Sequence, residues 1–85
     1  MNIFIFGGTG DLAGRKLLPA LYRHFKANRL GAQTKILSIG SRAIDTNEYT
    51  KFVKENLRLH LDAKEFEENI CNSFLKNIIF LKIFQ

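Results

Sequence analysis

Eighty-five residues, 46% of them hydrophobic and 25% charged, with a net charge of +5, make one small domain at most; a chain this short buries only about 60–65% of the surface it exposes when unfolded. No apolar stretch is long enough to suggest a membrane-spanning helix, and the first apolar run has neither a basic segment before it nor a small-residue cleavage site after it, so neither a span nor a secretory leader is expected. The lone cysteine, Cys71, cannot close an internal disulfide, and a reducing, cytoplasmic setting is the expectation.

Ile3-Phe4-Ile5-Phe6 predicts a strand over 2–6. The stretch Gly7-Gly8-Thr9-Gly10-Asp11-Leu12-Ala13-Gly14 follows it and leads into a helical pattern within 11–27. A strand, a glycine turn and a helix in that order present backbone N–H groups and a helix N-terminus to a phosphate. Gly8-x-Gly10-x-x-Ala13 fits the dinucleotide fingerprint, with Ala in place of the last Gly. The first Gly permits the tight turn, the second lets a pyrophosphate approach the backbone, and the small third residue lets helix and strand pack closely. Asp11 at the helix start suits the local dipole with or without a ligand. Further along, Leu17, Leu18, Leu21, Tyr22 and Phe25 form a stripe for packing on a sheet. Pro19 interrupts the pattern, so either the helix kinks there or 11–14 forms a separate turn and the main helix starts near Lys16. Asn28 and Gly31 are stop signals.

A second strand is expected over 35–40, helices over 46–58 and 63–76, and a third strand over 78–84. Asp45-x-x-Glu48 and Asp62-x-x-Glu65 each read as a capping box with Asp in place of Ser or Thr. The order β-α-β-αα-β predicts an α/β fold: a partial doubly wound, Rossmann-like parallel sheet with its three strands in the order 3-2-1. IFIF and IIFLKIF are almost continuously apolar, as strands covered on both faces are. In such a half-sheet the first strand is nevertheless an edge, and a long apolar edge recruits other chains. Residues 1–85 are therefore expected to form a half-domain that lacks a remainder or needs a partner chain.

Charge is placed unevenly. Residues 1–42 carry seven Lys/Arg against one Asp, and 43–85 carry six against seven acids. Positive charge near the glycine turn suits a polyanionic ligand, or is a solvated face. Nucleic acid is not the expected partner, because neither interleaved aromatics on one face nor a known module accompanies the basic residues. The second strand ends in Ser38-Ile39-Gly40-Ser41-Arg42, without the acidic residue that holds the adenosine ribose 2′-OH in NAD-preferring folds. A guanidinium pairs with the 2′-phosphate that a carboxylate would repel, so Arg42 favours NADP; its other reading is a surface loop residue.

GGTGDLAGRKLLPALY, followed by a strand ending in Arg42 and then by EYTKFVKENL, resembles the N-terminal segment of the glucose-6-phosphate dehydrogenase family. Asp11-Leu12-Ala13 and Lys16…Pro19 separate it from generic dinucleotide-binding sequences. The resemblance implies NADP as cofactor, bound by Gly7, Gly8, Thr9, Gly10, Asp11, Leu12 and Ala13, with Thr9 and Arg42 near the 2′-phosphate. For the complete enzyme it implies oxidation of glucose 6-phosphate to 6-phosphogluconolactone in the pentose phosphate pathway, hydride passing from C1 to the nicotinamide while a His accepts the hydroxyl proton. Gly14 departs from the family's usual Lys or Arg and removes a potential cationic contact. The family's sugar-phosphate site and catalytic His-Asp pair belong to a segment beyond residue 85. This chain alone is thus expected to be inactive, with no catalytic residue and no metal site of its own.

His24 and His60 lie in helical patterns as surface or boundary residues. Tyr22, Tyr49 and Cys71 read as core, the tyrosines with wet tips, and Lys16 as a phosphate contact or a solvated side chain. Two other readings remain. One is a short-chain dehydrogenase or epimerase, whose loop also begins Gly7-x-x-Gly10; that family usually has Gly where Ala13 stands and needs a downstream Tyr-x-x-x-Lys, which is not expected in this chain. The other is a non-enzymatic nucleotide- or nucleic-acid-binding module built on the basic half.

Overall fold

The structure, a computed structural model, describes residues 2–31, 33–40 and 44–82. Strands β1 (Asn2–Phe6), β2 (Lys35–Gly40) and β3 (Ile78–Lys82) alternate with helices α1 (Leu18–Lys26), α2 (Thr46–His60) and α3 (Glu68–Leu75). The strands are parallel and adjacent in the order β1-β2-β3, which is the expected 3-2-1 seen from the other edge. Register places Ile5 beside Ser38 and Ser38 beside Phe80.

Successive strand residues face opposite sides of a sheet. Ile5, Ile36, Ser38, Ile78 and Phe80 are buried, and all but Ser38 join a core with Leu18, Tyr22, Tyr49, Val53, Leu57, Cys71 and Phe74 of the helices. On the other face Phe4, Phe6, Ile79 and Leu81 remain 54%, 74%, 40% and 44% exposed. The strands' near-continuous apolarity predicts cover on both faces; within the described residues the cover is on one. Three helices make a single layer, and a doubly wound sheet needs two.

Residues 11–14 do not form a detached turn ahead of Pro19. The helix begins at Asp11, widens into a π turn over Ala13–Leu17 and continues as α1. Leu18 N–H reaches back five residues to Ala13 O, and Pro19 enters at the start of the regular helix. A proline donates no N–H, and its ring crowds the carbonyl four residues earlier, so a local widening ahead of it removes the conflict. At the other end Asn28 takes the left-handed conformation, φ 60°. Asn28 N–H bonds Phe25 O (3.0 Å) and Arg29 N–H bonds His24 O (2.9 Å), the paired bonds of a Schellman stop.

Asp45 caps α2 as expected, accepting from Glu48 N–H at 2.8 Å. Asp62 does not cap α3, which starts at Glu68 rather than near 63. Only the reciprocal arm of that box forms, Asp62 N–H donating to Glu65 Oε1 at 3.2 Å. The rest of the turn is drawn to α1: Arg23 grips the Glu65 carboxylate (2.6 and 3.2 Å), while Lys26 Nζ (2.8 Å) and the Tyr22 hydroxyl (3.1 Å) donate to Glu65 O. Tyr22 Oη also accepts from Glu67 N–H at 3.0 Å. A buried hydroxyl must be satisfied, and holding residues 65–67 against it keeps the chain from coiling early. The Tyr22 tip is therefore bonded inside the fold. The Arg23 hydrogen bond, helped by the Asp62 N–H, lowers the Glu65 pKa. Among the described residues no helix is long and apolar enough to cross a membrane.

Candidate dinucleotide-binding site

The glycine turn sits at the C-terminal end of β1, where the chain must reverse before helix 11–26. Gly7 takes φ +70°, a conformation that disfavours residues with a Cβ. Gly7 and Gly8 N–H both donate to Ile39 O (2.9 and 3.2 Å), which ties the turn to β2. Gly10 N–H closes it on Gly7 O (2.9 Å), and Gly14 N–H to Gly10 O (3.1 Å) is the first helical bond. The amides of Asp11, Leu12 and Ala13 precede that bond, so they stand at the positive end of the helix with no acceptor behind them in it.

The turn has an inner and an outer side. A Cβ on Gly8 would lie 1.9 Å from Ser38 Oγ and 2.9 Å from Tyr49 Oη, so Gly8 is pressed on the buried interior. A Cβ on Gly10 would come within 3.1 Å of Gly7 O, and one on Gly7 would meet nothing within 4 Å. The outer side is thus open and lined by backbone, which fits a phosphate approaching N–H groups. Ala13 is buried in the core, as the third fingerprint position requires for close helix–strand packing.

Thr9 Oγ1 lies 3.9 Å from where a Cβ on Gly40 would be, so Thr9 stands at the end of β2. Arg42 follows two residues later and lies outside the described residues. Asp11 is exposed and paired with Arg15 at 3.0 Å, and Leu12 is exposed beside it. Gly14 is more than a missing cation: it is buried, and a Cβ there would press to 2.6 Å on Asn56 Oδ1 of α2. Asn56 is held by its own bond to Phe52 O (2.9 Å), so Gly14 lets the helix start lie close to α2.

Two residues under the turn carry a role that sequence reasoning missed. Tyr49 reads from sequence as core with a wet tip and Ser38 as one strand position among others, yet the Tyr49 tip is buried and the two hydroxyls meet beneath Gly8. The signal was the pattern Ile36-x-Ser38-x-Gly40, a polar residue on an otherwise apolar inward face. Lys16 is exposed on the π turn, and His24 is exposed on α1. His60 ends α2, about 16 Å along the helix from Tyr49 at 1.5 Å per residue. Among the described residues no group of three or more His, Cys, Asp or Glu could hold a metal ion.

The family model described as glucose-6-phosphate dehydrogenase, NAD binding domain, matches residues 4–85. The chain belongs to the glucose-6-phosphate dehydrogenase family. A nicotinamide dinucleotide is accordingly the ligand class of this domain. Glucose-6-phosphate 1-dehydrogenase of Mycolicibacterium smegmatis is 35% identical over 82 residues, 96% of this chain and 17% of that protein. The same enzyme of Buchnera aphidicola subsp. Schizaphis graminum is 36% identical over 86 residues, 99% of this chain and 17% of its own. A crystal structure of glucose-6-phosphate 1-dehydrogenase from Mycobacterium avium superposes with a TM-score of 0.87 over 98% of this chain and 17% of that one, at 23% identity, a likeness of fold. Glucose-6-phosphate dehydrogenase in complex with its substrate glucose-6-phosphate gives 0.82 at 28% identity, over 96% and 16%. This chain thus spans about a sixth of the length of the relatives it matches.

Contrary to the expectation that a Tyr-x-x-x-Lys is missing, the sequence holds one at Tyr22-x-x-x-Lys26, the pair that a short-chain dehydrogenase needs. Their geometry does not serve that chemistry. The Tyr22 hydroxyl is bonded within the fold, and Lys26 Nζ is held by Glu65 O and by the Glu67 carboxylate at 3.2 Å.

Proposed function

We propose that residues 1–85 form the NADP-binding half-domain of a glucose 6-phosphate dehydrogenase, in which Gly7, Gly8, Thr9, Gly10, Asp11, Leu12 and Ala13 hold the dinucleotide. The observation that carries this reading is the two-sided glycine turn, closed inward on Ser38 and Tyr49 and open outward beneath the unpaired start of a helix. Backbone N–H groups there bind a pyrophosphate without a charged side chain. Thr9 stands at the end of β2; Arg42, two residues after that strand in the sequence, pairs with the adenosine 2′-phosphate. The Asp11–Arg15 pair offsets a carboxylate that would otherwise oppose the phosphates.

When bound, NADP supplies the hydride acceptor. This chain contributes binding and orientation, and the sugar phosphate is oxidised on a surface supplied by other residues. The exposed β1 edge and the bare sheet face fit a structure that docks against such a remainder or a partner chain. The 85-residue chain therefore binds NADP without turnover of glucose 6-phosphate.

Arg42→Ala separates the two nicotinamide dinucleotides. A charge-assisted bond contributes about 1.5–3 kcal/mol, so the NADP dissociation constant should rise by roughly 10- to 100-fold while that for NAD holds. Isothermal titration of both ligands reads this, and equal losses for the two would contradict the assignment of Arg42.

A further inference from the structure

The turn is fixed from below by a buried chain of hydrogen bonds. Ser38 Oγ donates to Tyr49 Oη at 2.5 Å, and Tyr49 Oη donates to Gly8 O at 2.9 Å. Both side chains are wholly buried, and the Tyr49 ring stacks on Phe80 (centroids 4.7 Å, 28°) and on Phe52 (5.6 Å, 29°). Tyr49 sits in the first turn of α2, where its own N–H bonds Asp45 O at 3.0 Å. Burial raises the phenol's pKa against the opposing bond from Ser38, so the hydroxyl remains a donor at neutral pH.

A phenylalanine would keep the stacking, so the hydroxyl's separate contribution is to the Gly8 carbonyl. A peptide unit is planar, and no cis bond occurs among the described residues. In a trans peptide C=O and N–H point in opposite directions. Holding Gly8 O inward on Tyr49 therefore aims Thr9 N–H outward, to the open side of the turn.

We propose that Tyr49, backed by Ser38, is a positioning residue for dinucleotide binding: its hydroxyl locks the Gly8–Thr9 peptide so that Thr9 N–H faces the phosphate. The inference rests on reading the turn as the phosphate cradle, and it adds a residue that touches no ligand itself.

The test compares Tyr49→Phe, Ser38→Ala and Val53→Ala with the parent chain. Val53 is buried one turn further along α2 and serves as a control for general loss of stability. Each variant is checked for folding by circular dichroism, titrated with NADP, and examined ligand-free by the NMR shift and hydrogen exchange of the Thr9 amide. Tyr49→Phe should raise the NADP dissociation constant about tenfold, move the Thr9 resonance and speed its exchange. Val53→Ala should leave NADP affinity within twofold and Thr9 in place, even with a lower melting temperature. Ser38→Ala keeps the bond from Tyr49 to Gly8 O and should weaken binding about threefold, with Thr9 moving in the same sense. It carries the test if Tyr49→Phe does not fold. Parent-like affinity together with an unmoved Thr9 amide in the folded variant would overturn the proposal, as would equal losses of affinity in Val53→Ala and Tyr49→Phe. If the parent itself does not bind NADP, the cradle reading fails, and the ligand-free Thr9 amide still decides whether Tyr49 sets the turn.

Discussion

Gly8→Ala is expected to destabilise the chain by about 3 kcal/mol, the upper end for overpacking a tight interior, and to remove dinucleotide binding. The added methyl would sit 1.9 Å from Ser38 Oγ, 2.9 Å from Tyr49 Oη and 3.1 Å from Ser38 Cβ. Ser38 and Tyr49 are wholly buried, so neither has solvent to retreat into. Displacing them also breaks their bonds beneath the turn and leaves buried polar groups unsatisfied. Gly7 contrasts instructively, because a methyl there meets nothing and the cost comes from φ +70° alone, about 1–2 kcal/mol. Urea unfolding followed by circular dichroism, with an NADP titration beside it, reads both quantities. A Gly8→Ala chain with the parent's midpoint and affinity would contradict this packing.

Phe74→Ala should cost about 4 kcal/mol, in the range for emptying a buried aromatic site. Phe74 is wholly buried, its ring edge-on to Tyr22 (5.7 Å, 88°) and tilted against Phe25 (5.5 Å). It joins α3 to α1, and a small chain has little to spare: total stability near 0.05–0.15 kcal/mol per residue leaves roughly 4–13 kcal/mol. At 4–8 °C per kcal/mol, the melting temperature should fall by roughly 16–32 °C. Phe74 lies away from the glycine turn, so the folded fraction should still bind. NADP at about 100 times its dissociation constant should restore about 2.7 kcal/mol in Phe74→Ala and nothing in Gly8→Ala. Thermal melts with and without NADP distinguish the two, and a Phe74→Ala chain with an unchanged melt would contradict the core described here.

Local signals in the sequence carried most of the fold. The strand–glycine–helix start, the Asp45 cap and the Asn28 stop are decided by residues a few positions apart, and each is found where its pattern places it. The departures arise where a distant contact outweighs a local preference. Asp62 has the letters of a cap, but Arg23, Lys26 and Tyr22, some forty residues earlier, claim Glu65 first. Pro19 announces a disturbance without saying which, and widening the preceding turn resolves it. At the site, the outer side of the turn was legible as a fingerprint, whereas its inner side was not. Ser38 and Tyr49 are eleven residues apart on different elements, and only folding brings their hydroxyls to Gly8. Gly14 likewise reads as a lost charge until α2 lies against it. The apolar strands called for cover on both faces, and Phe4, Phe6, Ile79 and Leu81 mark the face where these residues supply none.

The central claim is that backbone amides of this turn hold the dinucleotide, and amide-resolved NMR of the 85-residue chain during NADP addition tests it most directly. The largest shifts are expected at Gly8, Thr9, Gly10, Asp11, Leu12 and Ala13. Shifts centred instead on the shallow groove of Phe25, Lys26, Asn69 and Ile70, or no shifts at saturating NADP, would contradict it.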